Sequence, residues 1–350
     1  MAVTDLGADT IAPAMTKTPR DSEGVWSIAW HKLARDRLAV VGALIFAAIV
    51  LAAALAPVYA TYVAHTDPFH SNINGEIVID GKPVAVLASS TEGLGLGQTP
   101  IGPTWRGAYL LGADDQGRDV AARMFYGGRA SLLVSFGATA ICIVLGAALG
   151  ITAGFFGGLI DSITSRVLEI LWAFPVYLFA ISLSIVTISQ GLTIGWVTIE
   201  ASSLLLPTLI IGIIYTPYIA RPVRGQVLAL RRTDFVLASI GIGCPTGRIL
   251  LRDIFPNIAP SLIVMVPLMV ALNMLTESAL SFLSIGVQAP NASWGTIIQD
   301  GQGLLYTRPL VAIAPGIAIV ITVLALNVLG DGMRDALDPR SSARAGTAAP

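Results

Sequence analysis

Phe235–Asn257 reads FVLASIGIGCPTGRILLRDIFPN and separates two long apolar runs. Apolar residues recur through Val236, Leu237, Ile240 and Ile242, then through Ile249, Leu250, Ile254 and Phe255. That spacing predicts two short amphipathic helices. Gly241 and Gly243 loosen the backbone between them, and Pro245 takes a favoured first-turn position of a new helix. Pro256 predicts the end of the second helix. A helix–bend–helix carrying an apolar stripe and arginines is suited to docking on a partner. The same pattern also fits an amphipathic piece resting on lipid headgroups, and spacing alone leaves both readings open.

Working outward, the flanks of this stretch are membrane-like. The chain of 350 residues is 54% hydrophobic and 12% charged, with a mean hydropathy of +0.75. This is the profile of an all-α polytopic membrane protein. Six apolar spans are expected: Leu38–Ala60, Ser131–Phe155, Arg166–Thr187, Ser202–Ile219, Ile258–Ile285 and Leu310–Leu329. Gly146, Gly150 and Gly154 are four apart, so one face of the second span can approach another helix closely. Pro175, Pro207 and Pro217 are expected to kink or end their helices. With the N-terminus inside, 15 of the 21 Lys and Arg residues fall on the cytoplasmic side. The positive-inside rule therefore puts both termini and the stretch 235–257 in the cytoplasm.

The resulting order is a polar cytoplasmic leader (1–37) with a surface helix over Val25–Arg37, then the first span (38–60). An extracytoplasmic segment (61–128) follows, then a five-helix core (129–340) with a cytoplasmic loop at 221–257, and a tail (341–350). In the outer segment Glu76–Asp80 and Pro83–Leu87 flank Asp80-Gly81, a hairpin signal. That insertion is read as a cover over the core, or as a contact for a soluble partner.

Several function classes are excluded. Near-neutral net charge gives no argument for nucleic acid. His65, Asp67 and His70 have ligand spacing but neither a cysteine nor a fourth ligand, so no metal site is assigned. Lys82 follows Gly81, but Glu76 and Pro83 stand where a phosphate-binding loop needs Gly and Ser or Thr; no ATP site of that kind is present. No histidine lies beside a plausible nucleophile, and core carboxylates are too sparse for paired acid–base work, which argues against an enzyme. Cys142 and Cys244 make no disulfide framework and are read as packing residues.

Four stretches carry a resemblance: LGADDQGRDV (111–120), the 235–257 stretch, ESALSFL (277–283) with Gly286, Ser293-Trp294-Gly295, and GDGMRDALDPR (330–340). In this order they resemble the bacterial ABC importer permeases of the peptide/nickel type, best the second permease subunit of the peptide systems. Ala238, Gly243 and Pro256 fall at the alanine, central glycine and terminal proline of that family's EAA coupling loop. Leu237, Ser239 and Asp253 replace its glutamate, second alanine and frequent histidine. The resemblance implies a type I importer permease fold and transport by alternating access. It implies four kinds of partner: a second homologous permease, two ATPase subunits that bind the ATP, an extracytoplasmic solute-binding protein, and membrane lipid. The implied ATPase contacts are Leu237, Ala238, Ser239, Gly243, Arg248, Arg252, Asp253 and Pro256. Cargo is read as di- or oligopeptide, with nickel, glutathione, opine or sugar as alternatives in the same family and a non-transporting membrane scaffold as a reading of another class.

Within the core, Glu277 is the one acid well inside an apolar span, so it should meet water or a partner. Two readings stand: a point on the translocation path or gate together with Asn273, or a helix–helix hydrogen bond to Asn273, Thr276 or Asn327. Arg118 and Asp119 are expected to pair locally as a structural brace, and Asp331 with Arg334 one turn apart on a helix.

Overall fold

A computed structural model describes residues 25–79, 81–89, 97–194 and 197–337. The first part of the leader, the tail and Asp338-Pro339-Arg340 lie outside the described residues. Helix α1 (Val25–Arg35) covers most of the range where a surface helix was expected, and α2 (Arg37–Ala54) is capped by Asp36, which accepts from Leu38 and Ala39 N–H groups. A short turn α3 (Ala56–Val58) and a π-turn (Tyr59–Ala64) carry the chain out of the first span before Ala60.

The segment that follows forms two hairpins. Strands β1 (Glu76–Ile79) and β2 (Lys82–Ala85) pair with Ile79 opposite Lys82, so the hairpin closes between these two residues; Asp80 of the expected turn lies outside the described residues. The second hairpin, β3 (Leu87–Ser89) with β4 (Gln98–Pro100), had no sequence signal, and a third, β5 (Leu192–Ile194) with β6 (Val197–Ile199), follows later. Helices nevertheless make the body of the fold.

Helix α4 (Val120–Phe156) has 37 residues, about 55 Å at the helical rise. A bilayer's hydrocarbon layer is about 30 Å, so the helix extends well beyond it. The boundary expected at 128/129 therefore falls inside a helix. Asp119 fixes the start: its Oδ1 accepts from the N–H groups of Ala121 and Ala122.

The expected third span is not continuous. Helices α5 (Gly158–Ala173) and α6 (Val176–Gln190) meet at an 89° bend, because Pro175 lacks the N–H a continuing helix needs and holds Phe174 extended. The fourth span is longer than expected: α7 (Leu205–Ile214) and α8 (Thr216–Leu230) run past Ile219, with Pro217 at the joint. Helix α9 (Asp234–Gly241), the bend, and a short turn α10 (Thr246–Arg248) lead through a π-turn (Ile249–Ile254) into α11 (Phe255–Phe282). Helix α12 (Trp294–Asp300) caps the end of the bundle opposite the 235–257 stretch, and α13 (Leu310–Leu337) continues beyond Leu329. Among the described residues five helical stretches are long and apolar enough to cross a membrane, six if the bent α5–α6 pair counts as one crossing.

The main core lies between α4, α7, α8 and α11, with Cys142, Ile211, Ile219, Val223 and Ile258 fully or almost fully buried. The glycine row of α4 works as its spacing requires. A Cβ on Gly146, Gly150 or Gly154 would lie 2.6 Å from Ile219 Cβ, 2.7 Å from Ala220 O or 2.8 Å from Val227 Cβ, all on α8. The outward faces of the bundle stay apolar, with Leu44, Val144 and Leu324 each more than half exposed. Such a surface is stable only against lipid or other apolar helices.

Candidate functional site

The ends of the bundle differ. One gathers the leader helix, the starts of α2 and α11, and the ends of α4, α8 and α13; there Gln226, Ser261 and Arg334 help line a cavity of 520 Å³. The 235–257 stretch sits at this end. Its bend comes where the glycine predicts: Gly243 has φ +79°, and Cys244 N–H reaches back to Ser239 O. Pro245 stands one position earlier than expected, as the cap of α10.

The expected end of the second helix at Pro256 is corrected. The helical path is continuous from Thr246 to Phe282, with Pro256 in its interior. The π-turn explains the tolerance: Phe255 N–H bonds to Leu250 O, five residues back, which widens the turn where the proline ring would otherwise meet a carbonyl.

The stretch carries two apolar faces. Val236, Ile249 and Ile254 are buried in the main core and anchor it. Leu237, Ile240, Ile242, Leu251 and Phe255 point away, with Ile242 at 79% and Leu251 at 74% exposure. Ala238, Gly243, Arg248, Arg252 and Pro256 share this exposed side, while Ser239 and Asp253 are half-buried. Arg248, Arg252 and Asp253 form no ion pair with a described residue. The result is a rigidly seated ledge with open apolar and charged groups. Sequence reading counted Ile242 and Phe255 in the apolar rows but not among the docking residues, and it did not name Leu251; all three are exposed, away from the anchoring face.

The other end holds two of the resemblance stretches in contact. Arg118 does not pair with Asp119. It bonds Asp114 (Nε to Oδ2, 2.8 Å) and Asp300 (Nη2 to Oδ2, 3.0 Å), and Arg123 bonds the same two acids. Asp119 is already engaged, capping α4 and accepting from Tyr109 N–H at 2.7 Å. Burial raises the Asp300 carboxyl above its usual range, against the pull of Arg123 and Arg118. This is an ion-paired brace between the segment 61–119, α4 and α12, in which Arg123 Nε is buried without a hydrogen-bond partner among the described residues.

Below it Glu277 is fully buried. Its partners are not Asn273, Thr276 or Asn327: it accepts from Ser281 Oγ at 2.7 Å and from Ser278 Oγ. Asn273 donates to Thr139 on α4 at 2.8 Å, Thr276 pairs with Tyr215, and Asn327 is exposed elsewhere. Ser281 in turn accepts from Val287 N–H, and Trp294 N–H donates to Ser131 on α4. Glu277 and Asn273 thus lie in a polar seam between α4, α11 and α12. Asp331 and Arg334 are both exposed and do not form the expected pair.

Comparison with known proteins decides the family. The profile described as binding-protein-dependent transport system inner membrane component matches residues 146–343, more than half the chain. The chain belongs to this family. The N-terminal TM domain of oligopeptide transport permease C matches residues 24–74 of the permease. Among full-length relatives, the dipeptide transport system permease protein DppC of Alkalihalophilus pseudofirmus is 33% identical over 90% of each chain. The oligopeptide transport system permease protein OppC of Bacillus subtilis is 35% identical over 93% of this chain and 92% of its own. The glutathione transport system permease protein GsiD of Pectobacterium atrosepticum is 34% identical over 67% of this chain and 73% of its own. The permease is a multi-pass inner-membrane protein and a transport component, not itself an enzyme.

Proposed function

We propose that this permease imports di- and oligopeptides, paired with a second related permease, two ATPase subunits and an extracytoplasmic binding protein. The observation that carries the reading is similarity at 33–35% identity across about nine-tenths of two relatives named for dipeptide and oligopeptide transport. ATP is bound by the partner subunits, and this chain contributes no cofactor site. Both termini and the α9–α10 ledge face the cytoplasm, in line with the Lys and Arg distribution.

In this reading the ledge is the ATPase docking site. Leu237, Ala238, Ile242 and Leu251 supply apolar contact; Ser239, Arg248, Arg252 and Asp253 supply polar contact; Gly243 provides the bend. Pro256 with its π-turn sets how the ledge joins α11. ATP draws the two ATPase subunits together, the ledges follow, and the helices open outward to receive peptide from the binding protein. Hydrolysis returns the pore to the inward-facing state. The α4–α11 seam is where Glu277 and Asn273 act, because opening it brings both to the pathway.

The test is ATP hydrolysis by the purified complex in liposomes, with and without liganded binding protein, for wild type and Gly243→Trp. Peptide-dependent stimulation lost in the variant is the expected result. Stimulation by glutathione or nickel alone would keep the importer and change its cargo, and failure to copurify any ATPase would overturn the reading.

A further inference from the structure

We propose that Arg224 and Asp161 form a transmission link which delivers movement of the docking ledge to the bent α5–α6 pair, a positioning role that rests on the importer reading above. Helix α8 runs directly into the ledge: only the turn Arg231–Thr233 separates Leu230 from α9. Three arginines of α8 and this turn reach α5 and its junctions: Arg224 and Arg231 at the elbow where α4 passes into α5, and Arg221 at the opposite end of α5. Arg224 grips Asp161 with both ends of its guanidinium, Nε on Oδ1 and Nη2 on Oδ2, the latter at 2.7 Å. Arg221 lies 4.5 Å over the Trp172 ring at the far end of α5, where Tyr218 also stacks, and Arg231 lies 5.9 Å from the Phe155 ring.

The elbow itself is built to turn. Gly157 and Gly158 both have positive φ, +67° and +55°, and Pro175 breaks the chain at the other end of α5. Helix α5 is therefore a strut between two joints. The interhelix hydrogen bonds that it makes among the described residues both come from Arg224. Much of its remaining surface is exposed and apolar, as at Leu159 and Ile170. Helix α4 cannot shift on α8 without parting the glycine row, so a displacement of α8 carries α4 with it and turns α5 about the elbow. A two-pronged guanidinium–carboxylate contact is the one fastening here that fixes orientation as well as distance.

The test compares Arg224→Gln, Arg224→Lys, Asp161→Asn and the exchange Asp161→Arg/Arg224→Asp in the complete reconstituted complex. Peptide uptake and ATP hydrolysis are measured together, alongside copurification of the ATPase. The expected result is intact assembly and hydrolysis in Arg224→Gln and Asp161→Asn, with uptake per ATP lowered by about tenfold or more. Arg224→Lys falls between, and the exchange recovers uptake. A second readout is independent of cargo: spin labels at Val144→Cys on α4 and Leu178→Cys on α6 change separation on adding ATP and vanadate, and Arg224→Gln abolishes the change. Wild-type uptake per ATP in both single variants would overturn the link. So would parallel loss of uptake, hydrolysis and assembly that the exchange does not restore, or an unaltered label response. A wild-type complex that hydrolyses ATP but imports no cargo overturns the importer reading, while the label response still decides the link.

Discussion

The two charged ends of the permease are built on opposite plans. At the end formed by 61–119 and α12, Arg118, Arg123, Asp114 and Asp300 pair with one another, and Asp114 and Arg123 are almost completely buried. At the other end Arg248, Arg252 and Asp253 pair with nothing described, beside apolar side chains left open. A buried ion cluster must satisfy itself or the fold fails, because each ion has lost its water. An exposed ledge with spare apolar and charged groups costs little in the free chain and gains by meeting a partner. The difference teaches where to look for function: in the groups the fold leaves unsatisfied, not in those it buries most carefully.

That contrast is sharpened most strongly at the brace. Arg123→Met leaves Asp114 and Asp300 short of a counter-charge in a dry site, and removing one partner of a buried pair typically costs about 3–5 kcal/mol. Thermal unfolding in detergent should show a large fall, and Arg123→Lys should recover part of it. If Arg123→Met unfolds like wild type, the brace is better hydrated than its burial indicates and the contrast between the ends fails. Next in size is Gly150→Val, which pushes a side chain into Ala220 O and Val223 on α8. Overpacking of this kind costs about 1–3 kcal/mol, read in the same unfolding experiment.

At the ledge the expectation reverses. Ile242→Asp or Leu251→Asp changes a mostly exposed side chain, so unfolding should shift by no more than about 0.5 kcal/mol. Binding of the partner ATPase, measured by titration in detergent, should weaken by tenfold or more, a loss of about 1.4 kcal/mol. Equal damage to stability and binding would mean that the ledge is part of the core and that the two ends are alike after all.

How much of this was legible in the sequence follows from the range of each interaction. Periodicity and Pro175, Pro217 and Gly243 act within a turn or two, and they placed the helices, the break and the bend. The hairpin that pairs Ile79 with Lys82 was legible for the same reason. Helix ends were less so: a span's hydropathy stops at the bilayer, whereas α4, α8 and α13 continue beyond it as polar or mixed helix. Pro256 misled because a π-turn, invisible in composition, lets the helix pass through a proline. The local pair expected for Arg118 with Asp119 failed because a sequence neighbour was preferred to a distant partner, and that of Asp331 with Arg334 because both side chains stay exposed. Arg118 reaches Asp300, and Asp119 was already committed as a helix cap. Arg224 and Asp161 were missed altogether, although Arg221 and Arg224 lie one turn apart on α8 and Asp161 is the first acid after Gly157-Gly158. Nothing local says that these two helices touch.

The smallest expected effect lies at the margin of the braced end, where a charged group is neither buried in the brace nor free. Asp67 has a side chain that is 55% exposed, and it accepts from the Phe69 and His70 N–H groups and meets the His70 ring at 2.7 Å. Partial burial pushes its carboxyl up, but the hydrogen bonds from Phe69 and His70 outweigh that and hold it below its ordinary value of 3.8. A carboxyl lowered on folding adds stability that is fully present above the unfolded value and is lost as pH falls through the folded one. Asp67→Asn should therefore cost only about 0–1 kcal/mol at neutral pH, as water screens an exposed group, and the cost should shrink as pH falls below about 4. Asp300, raised by burial, has the opposite sign: its ionisation opposes folding as pH rises from the unfolded value through the raised folded one, and Arg123 and Arg118 offset only part of that opposition. Unfolding of wild type and Asp67→Asn at pH 7 and in mild acid separates the two. A large loss at pH 7 in Asp67→Asn would extend the ion-paired cluster from the brace out to the rim; a small, acid-sensitive one keeps its boundary at Asp114.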